Sequence, residues 1–312
     1  MKKHTSGIHH ITAIVGHPQE NIDFYAGVLG LRLVKQTINF DDPGTYHLYF
    51  GEENGKPGTI ITFFPWADAY KGRIGDGQVG VTTYVVPVGA MNYWKERLTK
   101  FNINFNEAVR YGETYVQFDD PHGLHLEIVE HASGEENNWT FGNITKEVAI
   151  KGFGGAILYS SRPEETAATL VDVMGLEIVG QEGDYTRFKS TADIGNIIDL
   201  KMTTGVRGRM GVGTVHHIAW RADDNQDHLE WQQYAMDHGQ HVTEIKDRNY
   251  FNSIYFRESG EILFEVATDP PGFGHDETPE TLGSELKLPI QYEHLRERLK
   301  QSLIPIDVRP LD

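Results

Sequence analysis

Cysteine is absent from this 312-residue chain. Disulfides and thiolate metal sites are therefore excluded, and any metal must be held by His, Asp or Glu. Such nitrogen and oxygen donors favour iron, manganese, nickel or zinc. Long apolar runs are missing too. None could span a bilayer, and the opening Met1-Lys2-Lys3-His4 leads into no signal-type segment, so a cytoplasmic location is expected. Positive charge is scarce: 28 Lys and Arg stand against 45 Asp and Glu, a formal net charge of −17. That surface repels phosphate backbones and anionic lipid heads, which argues against nucleic acid and membranes as partners. Hydrophobic residues at 39% and charged residues at 23% fit a soluble globular protein of one large domain or two ordinary ones.

One tripeptide stands out. His9-His10-Ile11 opens the apolar run Ile8 to Val15, and His216-His217-Ile218 lies within the run Val212 to Trp220. Neutral imidazole is a common ligand for divalent transition metals, so a fold that joins the two runs would bring two ligands together.

The chain repeats a βαβββ unit four times. The first has a strand at Ile8–Val15 and a helix around Ile22, Tyr25, Val28 and Leu29, ended by Gly30. Strands follow at Leu31–Thr37, Thr45–Phe50 and Thr59–Phe64. The second runs from a strand at Gly80–Val88 through a helix at Met91–Phe101 to strands at Tyr115–Phe118 and Leu124–Val129. The third begins at Gly154–Tyr159, has a helix at Pro163–Met174, repeats Leu29-Gly30-Leu31 as Met174-Gly175-Leu176, and ends in Ile197–Leu200. The fourth begins at Val215, has a helix at Asp227–His238, and ends in Ile254–Phe256 and Ile262–Val266. One unit leaves a sheet face bare, and pairing units closes a curved sheet around a cleft. An α+β fold of two tandem halves is expected: residues 7–131, a polar linker at 132–149, residues 150–270, and a tail at 271–312 with a helix near Tyr292–Leu303.

Strand alternation puts His10 on the face of Ile8 and Thr12, with His9 on the other, and His217 on the face of Val215 and Ala219. Glu265 is a lone carboxylate in the apolar run Leu263–Ala267, a costly burial that a metal or a cationic partner would relieve. Units one and four thus offer two His and one Glu with coordination positions left open, the arrangement of non-haem Fe(II) sites that activate O₂. The middle units end in Glu127 and Asp199 but have no His on their first strands, which reads as a degenerate site kept for structure. His122, His125 and Glu127 resemble a further cluster only in spacing. His228, His238 and His241 fall on or after a polar helix and are expected in solvent, and Tyr93, Trp94 and Trp231 in the core.

These residues carry a family resemblance. The repeated unit, Phe24-Tyr25, Leu29-Gly30-Leu31 and Asp120-Pro121-His122-Gly123 with Glu127 resemble the vicinal oxygen chelate superfamily of glyoxalases, bleomycin-resistance proteins and extradiol dioxygenases. Gly7–Thr12, Tyr46–Gly51, Pro57-Gly58-Thr59, Thr62–Pro65, Asp247-Arg248-Asn249 with Tyr255, Phe264–Thr268 and Gly274–Glu277 resemble the hydroquinone-type ring-cleaving dioxygenases of Gram-positive bacteria, over nearly the whole chain. The resemblance implies His10, His217 and Glu265 as ligands of Fe(II), a site that Zn, Ni or Mn could fill on purification. It implies His9, Thr12, His216, Arg248 and Tyr255 as supporting or substrate-contacting groups, although Arg248 could instead pair with a carboxylate. The implied substrates are O₂ and a small aromatic diol of hydroquinone or catechol type, in aromatic catabolism or quinone detoxification. Self-association is left open. A metal-dependent isomerase or thiol transferase, or a metal-free binding protein, would use the same fold.

Overall fold

A computed structural model describes residues 2–312. Unit one comprises β1 (Ile8–Val15), α1 (Pro18–Ile22), β2 (Arg32–Asn39), β3 (Asp42–Gly51) and β4 (Ile60–Pro65). Unit two comprises β5 (Gln78–Val86), α2 (Met91–Lys100), β6 (Phe105–Arg110), β7 (Glu113–Asp119) and β8 (His125–Glu130). Unit three comprises β9 (Gly152–Tyr159), α3 (Pro163–Ala168), β10 (Glu177–Glu182), β11 (Tyr185–Lys189) and β12 (Ile197–Lys201). Unit four comprises β13 (Thr214–Ala222), α4 (Asn225–Asp237), β14 (Lys246–Asp247), β15 (Asn252–Arg257) and β16 (Leu263–Thr268).

The helices of units one and three widen into π-helical turns at Asp23–Val28 and Thr169–Val173. Both stop at a glycine with positive φ, Gly30 and Gly175. A side chain there would also strike a neighbour: a Cβ on Gly30 would sit 2.4 Å from Ile144, and one on Gly175 2.2 Å from the Lys3 carbonyl. Strands β6, β11 and β14 escape the sequence pattern because they are short or polar; β6, with Asn106 and Glu107 exposed, is held by its ladder to β7.

The sheets divide the chain differently from the halves 7–131 and 150–270. One has the order β14-β15-β16-β13-β1-β4-β3-β2, units four and one; the other is β10-β11-β12-β9-β5-β8-β7-β6, units three and two. The first strands of paired units make each central junction, β1 against β13 and β5 against β9, both antiparallel. The helices cover the sheets through buried Ile22, Tyr25, Trp94, Leu98, Leu170 and Trp231. Contrary to the sequence expectation, His228 is buried as well: α4 turns it inward beside Trp231, and its Nε2 lies 2.9 Å from the Val266 carbonyl. His238 and His241 are exposed.

The polar segment 132–149 packs down. Ile144 is buried, and Asn137 accepts from the backbone N–H groups of Glu53 and Trp139 and donates to the Ile150 carbonyl. The tail carries α5 (Arg296–Ser302) and runs on to Asp312, which pairs with Arg97, and before α5 Asp276 and Glu277 both take hydrogen bonds from the buried ammonium of Lys35 on β2. Among the described residues, no helix is long and apolar enough to cross a membrane.

Candidate metal centre

The junction of β1 and β13 is irregular at two places. Ile8 lies opposite Trp220 and His10 opposite Ala219, so His9 is an extra residue. Thr12 lies opposite His217 and Ala13 opposite Val215, so His216 is another. Each His-His pair therefore holds a β-bulge, which breaks the two-residue alternation. The expected separation of His9 and His10 onto opposite faces fails for this reason: their Nδ1 atoms lie 2.9 Å apart, and those of His216 and His217 lie 2.8 Å apart.

The first bulge fixes a tautomer. His9 Nε2 lies 3.1 Å from the Thr268 carbonyl, which can only accept, so His9 carries its proton there. Burial, reinforced by the neighbouring His10, holds the His9 pKa well below 6.5, and the ring is neutral. Its Nδ1 is then an acceptor, His10 donates from Nδ1, and His10 Nε2 keeps a bare lone pair. Burial pushes His216 down to about 3, with His217 adding to the effect, so it too is neutral. His216 and His217 share the same Nδ1–Nδ1 pairing, and with His217 as its donor the lone pair of His217 faces outward at Nε2.

Glu265 meets these two nitrogens. β16 runs parallel to β13 with Glu265 beside Ala219, and Tyr255 of β15 lies opposite Glu265. Glu265 Oε1 accepts a 2.5 Å hydrogen bond from Ser253. Its Oε2 has no hydrogen-bond donor although it is buried. It lies 2.8 Å from His217 Nε2 and 3.4 Å from His10 Nε2, and the two nitrogens are 3.3 Å apart. Burial alone would raise the Glu265 pKa; the positive charge and N–H groups that the two imidazoles present when protonated outweigh it and hold the carboxyl well below the ordinary range. Two imidazole nitrogens and one carboxylate oxygen thus converge within 3.4 Å of one another, an arrangement that a cation would satisfy. Bonds of about 2.0–2.2 Å to one metal give donor separations of about 2.8–3.6 Å between right and tetrahedral angles, which matches the three distances. The residues present fit a divalent transition metal, and among the described residues no other His, Asp or Glu cluster does so.

The centre opens into a cavity of about 260 Å³. Tyr255 and Arg248 stand on its unit-four side. Arg248 donates from Nε to the Tyr255 hydroxyl at 3.1 Å and from Nη2 to Asp41 at 3.0 Å, so its carboxylate partner is Asp41 and not Glu265. Burial, then the charge of Glu265, pushes Tyr255 above the usual phenol range, so it stays protonated. His216 also lines the cavity. Thr12 is on the face of His10 but bonds sideways to Thr62 at 2.7 Å. Ser253, His47, Tyr49, Asp41 and Trp66 belong to the site and escaped the sequence reading as site residues. The available signal was alternation: Ser253 precedes Tyr255 by two, as His47 precedes Tyr49, and such pairs share a strand face.

The other sheet shows the same plan without the imidazoles. Gly80 and Gly154 occupy the two bulges, where His9 and His216 stand in the first sheet. A Cβ on Gly80 would lie 2.3 Å from the Tyr159 ring. The carboxylates of Glu127 and Asp199 remain, but guanidinium groups neutralise them. Arg110 grips Glu127 with two hydrogen bonds of 2.9 and 2.8 Å and reaches Asp199 at 3.1 Å. Arg187 holds Asp199 at 2.7 and 2.9 Å. His122 and His125 stay apart from this group: His122 accepts from the Gly16 N–H, and exposed His125 pairs with Asp119.

Comparison with known proteins gives consistent results. Residues 7–128 and 152–274 match the Glyoxalase/Bleomycin resistance protein/Dioxygenase superfamily. The chain is 69% identical over 312 residues to a Bacillus subtilis (strain 168) protein named "Putative ring-cleaving dioxygenase MhqO", covering 100% of both. It is 35% identical over 314 residues to the chlorohydroquinone/hydroquinone 1,2-dioxygenase of Sphingobium indicum, covering 97% of each. A crystal structure of a "putative dioxygenase" from Bacillus subtilis subsp. subtilis str. 168 superposes with a TM-score of 0.98 at 69% identity, covering 99% of this chain and 100% of the other.

Proposed function

The chain belongs to the Glyoxalase/Bleomycin resistance protein/Dioxygenase superfamily, and from that premise we propose that it is an Fe(II)-dependent dioxygenase that opens the ring of hydroquinone-type diols. The observation that carries this reading is the convergence of His10 Nε2, His217 Nε2 and Glu265 Oε2 beside a small cavity, with no fourth protein donor among them. Two imidazoles and one carboxylate suit iron that must accept both an organic ligand and O₂. Bound there, the metal would acidify a phenolic hydroxyl and mediate electron transfer from the ring to O₂.

The chain's own residues supply the rest. Ser253 and the two bulge histidines hold the ligands in one orientation, so no reorganisation is needed when substrate arrives. The cavity's volume of about 260 Å³ accommodates a single ring, which would pack against its aromatic walls of Phe64, Trp66 and Phe251 and displace water there. Arg248 stays charged despite burial because Tyr255 and Asp41 face it, and it places positive charge where anionic oxygen develops on the substrate. Tyr255 accepts from Arg248, so its own proton is free to donate to that oxygen. The outcome would serve removal of reactive diols and their quinones, consistent with a chain that lacks thiols for quinones to alkylate.

Protein stripped of metal and reloaded anaerobically with Fe(II) tests the proposal in an oxygen electrode. Uptake with hydroquinone or methylhydroquinone that requires Fe(II) is the expected result. No uptake with these or with catechol, together with isomerisation of a glutathione hemithioacetal, would sink it.

A further inference from the structure

The β1–β13 register has an approximate twofold about the Ile11–Ile218 pair. His10 lies opposite Ala219 and Thr12 opposite His217, so exchanging the strands exchanges His10 with His217 and Thr12 with Ala219. The neighbouring strands obey the same operation. Glu265 sits beside Ala219 on β16, and Thr62 beside Thr12 on β4. Tyr255 lies opposite Glu265, and Tyr49 opposite Thr62. Two residues before these tyrosines come Ser253 and His47. Ser253 holds Glu265, and His47 Nε2 holds the Thr62 hydroxyl at 2.8 Å. Where unit four supplies a carboxylate to the centre, unit one therefore supplies a short hydroxyl, and this is the side left open to a ligand.

His47 and Tyr49 both line the cavity on that side. Their rings lie 4.1 Å apart, and the Tyr49 hydroxyl is 2.8 Å from His47 Nδ1. Thr62 can accept from His47 Nε2 while donating to Thr12, and in that arrangement His47 Nδ1 accepts from the Tyr49 O–H. The Tyr49 oxygen then presents a lone pair to the cavity. Burial keeps both groups neutral, His47 well below 6.5 and Tyr49 well above 10. A neutral acceptor in a confined site selects a hydroxyl donor and has no charge to offer a carboxylate.

Resting on the dioxygenase reading, we propose that Tyr49, oriented by His47, accepts the hydrogen bond of the diol's second hydroxyl, the one remote from His10, His217 and Glu265, and so selects para-diols over phenols. A site built to bond a hydroxyl discriminates against the analogue that lacks it, because its own polar group is then left unpaired.

The test is anaerobic calorimetry on the protein loaded with redox-inactive Zn(II), using hydroquinone, phenol and 4-methoxyphenol. The wild type should bind hydroquinone about tenfold more tightly than phenol or 4-methoxyphenol, the difference one hydrogen bond gives. Tyr49→Phe should bring the ratio close to one, with metal content and melting temperature unchanged. His47→Leu should lower the ratio, and His47→Asn, which restores an acceptor for the Tyr49 hydroxyl, should recover most of it. A wild-type ratio in Tyr49→Phe overturns the proposal, as does a wild-type protein without preference. Oxygen uptake by the Fe(II)-loaded wild type judges the dioxygenase reading separately. Turnover with an unaltered ratio in Tyr49→Phe would remove this contact alone, and a Tyr49-dependent ratio without turnover would remove the reading alone.

Discussion

Ser253 donates its hydroxyl to Oε1 of Glu265 at 2.5 Å, and this bond turns the other carboxylate oxygen toward the two imidazoles. Ser253→Ala should therefore weaken metal binding by about 10–100-fold while leaving the protein folded, the usual consequence of losing a group that orients a ligand. Glu265→Gln and His10→Ala should cost more than Ser253→Ala. Chelator competition on the purified variants measures the order, and equal affinities for wild type and Ser253→Ala would contradict it.

The bulge histidines act as acceptors. Replacing His216 with Leu leaves the Nδ1–H of His217 without its partner and allows the wrong tautomer, so metal affinity should fall by about 10–100-fold. His216→Asn, whose side-chain oxygen can stand near the lost Nδ1, should recover much of that loss. Paired chelator titrations decide the matter; variants that behave alike would mean the ring matters only as bulk.

In the second sheet Arg110 is an ionic plug. Arg110→Met leaves Glu127 buried without its partner and should destabilise the protein by about 3–5 kcal/mol. Arg110→Met with Glu127→Leu removes both charges and should regain most of that stability. Urea unfolding reads both variants, and metal content at the His10, His217 and Glu265 centre should not change in the double variant.

A pH dependence arises at Asp120. Burial raises its carboxyl from 3.8 to about 6, although the N–H groups of His122 and Leu124 and the Tyr25 hydroxyl oppose the rise. The folded protein thus binds a proton more tightly than the unfolded chain. Stability from this group is complete below about pH 4 and is lost as pH rises through about 6, by up to about 3 kcal/mol. Asp120→Asn stays neutral and should lack this decline, so its melting curves should diverge upward from wild type between pH 4 and 6. Parallel curves across that range would refute the assignment.

The repeat was legible because apolar alternation and helical spacing mark β1, β13 and β16 strongly, and Glu265 stood out as a charge among apolar neighbours. The sharing of one ligand set by units one and four followed from the His-His-Ile copies and Glu265, but the grouping into halves 7–131 and 150–270 did not foresee that the sheets join unit one to four and two to three. The bulges did not show, because nothing in His9-His10 says that a strand will lose its alternation; that depends on the register with β13. Residues that complete the cavity from β3, such as His47, were hidden for a related reason. Their role comes from a cross-strand neighbour, Thr62, that is a ligand position only by symmetry. The inward turn of His228 was missed because α4 is polar over most of its length, and a single buried imidazole is indistinguishable from a surface one until β16 lies beneath it.

The nested order of the sheets also fixes a sequence of events in time. One sheet is complete within a continuous stretch, β5 to β12, while β1 must wait for β13. His10 and His217 are separated by 207 residues, so at synthesis rates of about 5–20 residues per second the first ligand exists for about 10–40 s before the second. Throughout that interval β1 has an open edge available for wrong pairing. The centre cannot close on a metal until unit four has docked on unit one, so a loaded centre certifies that the two ends of the chain have paired.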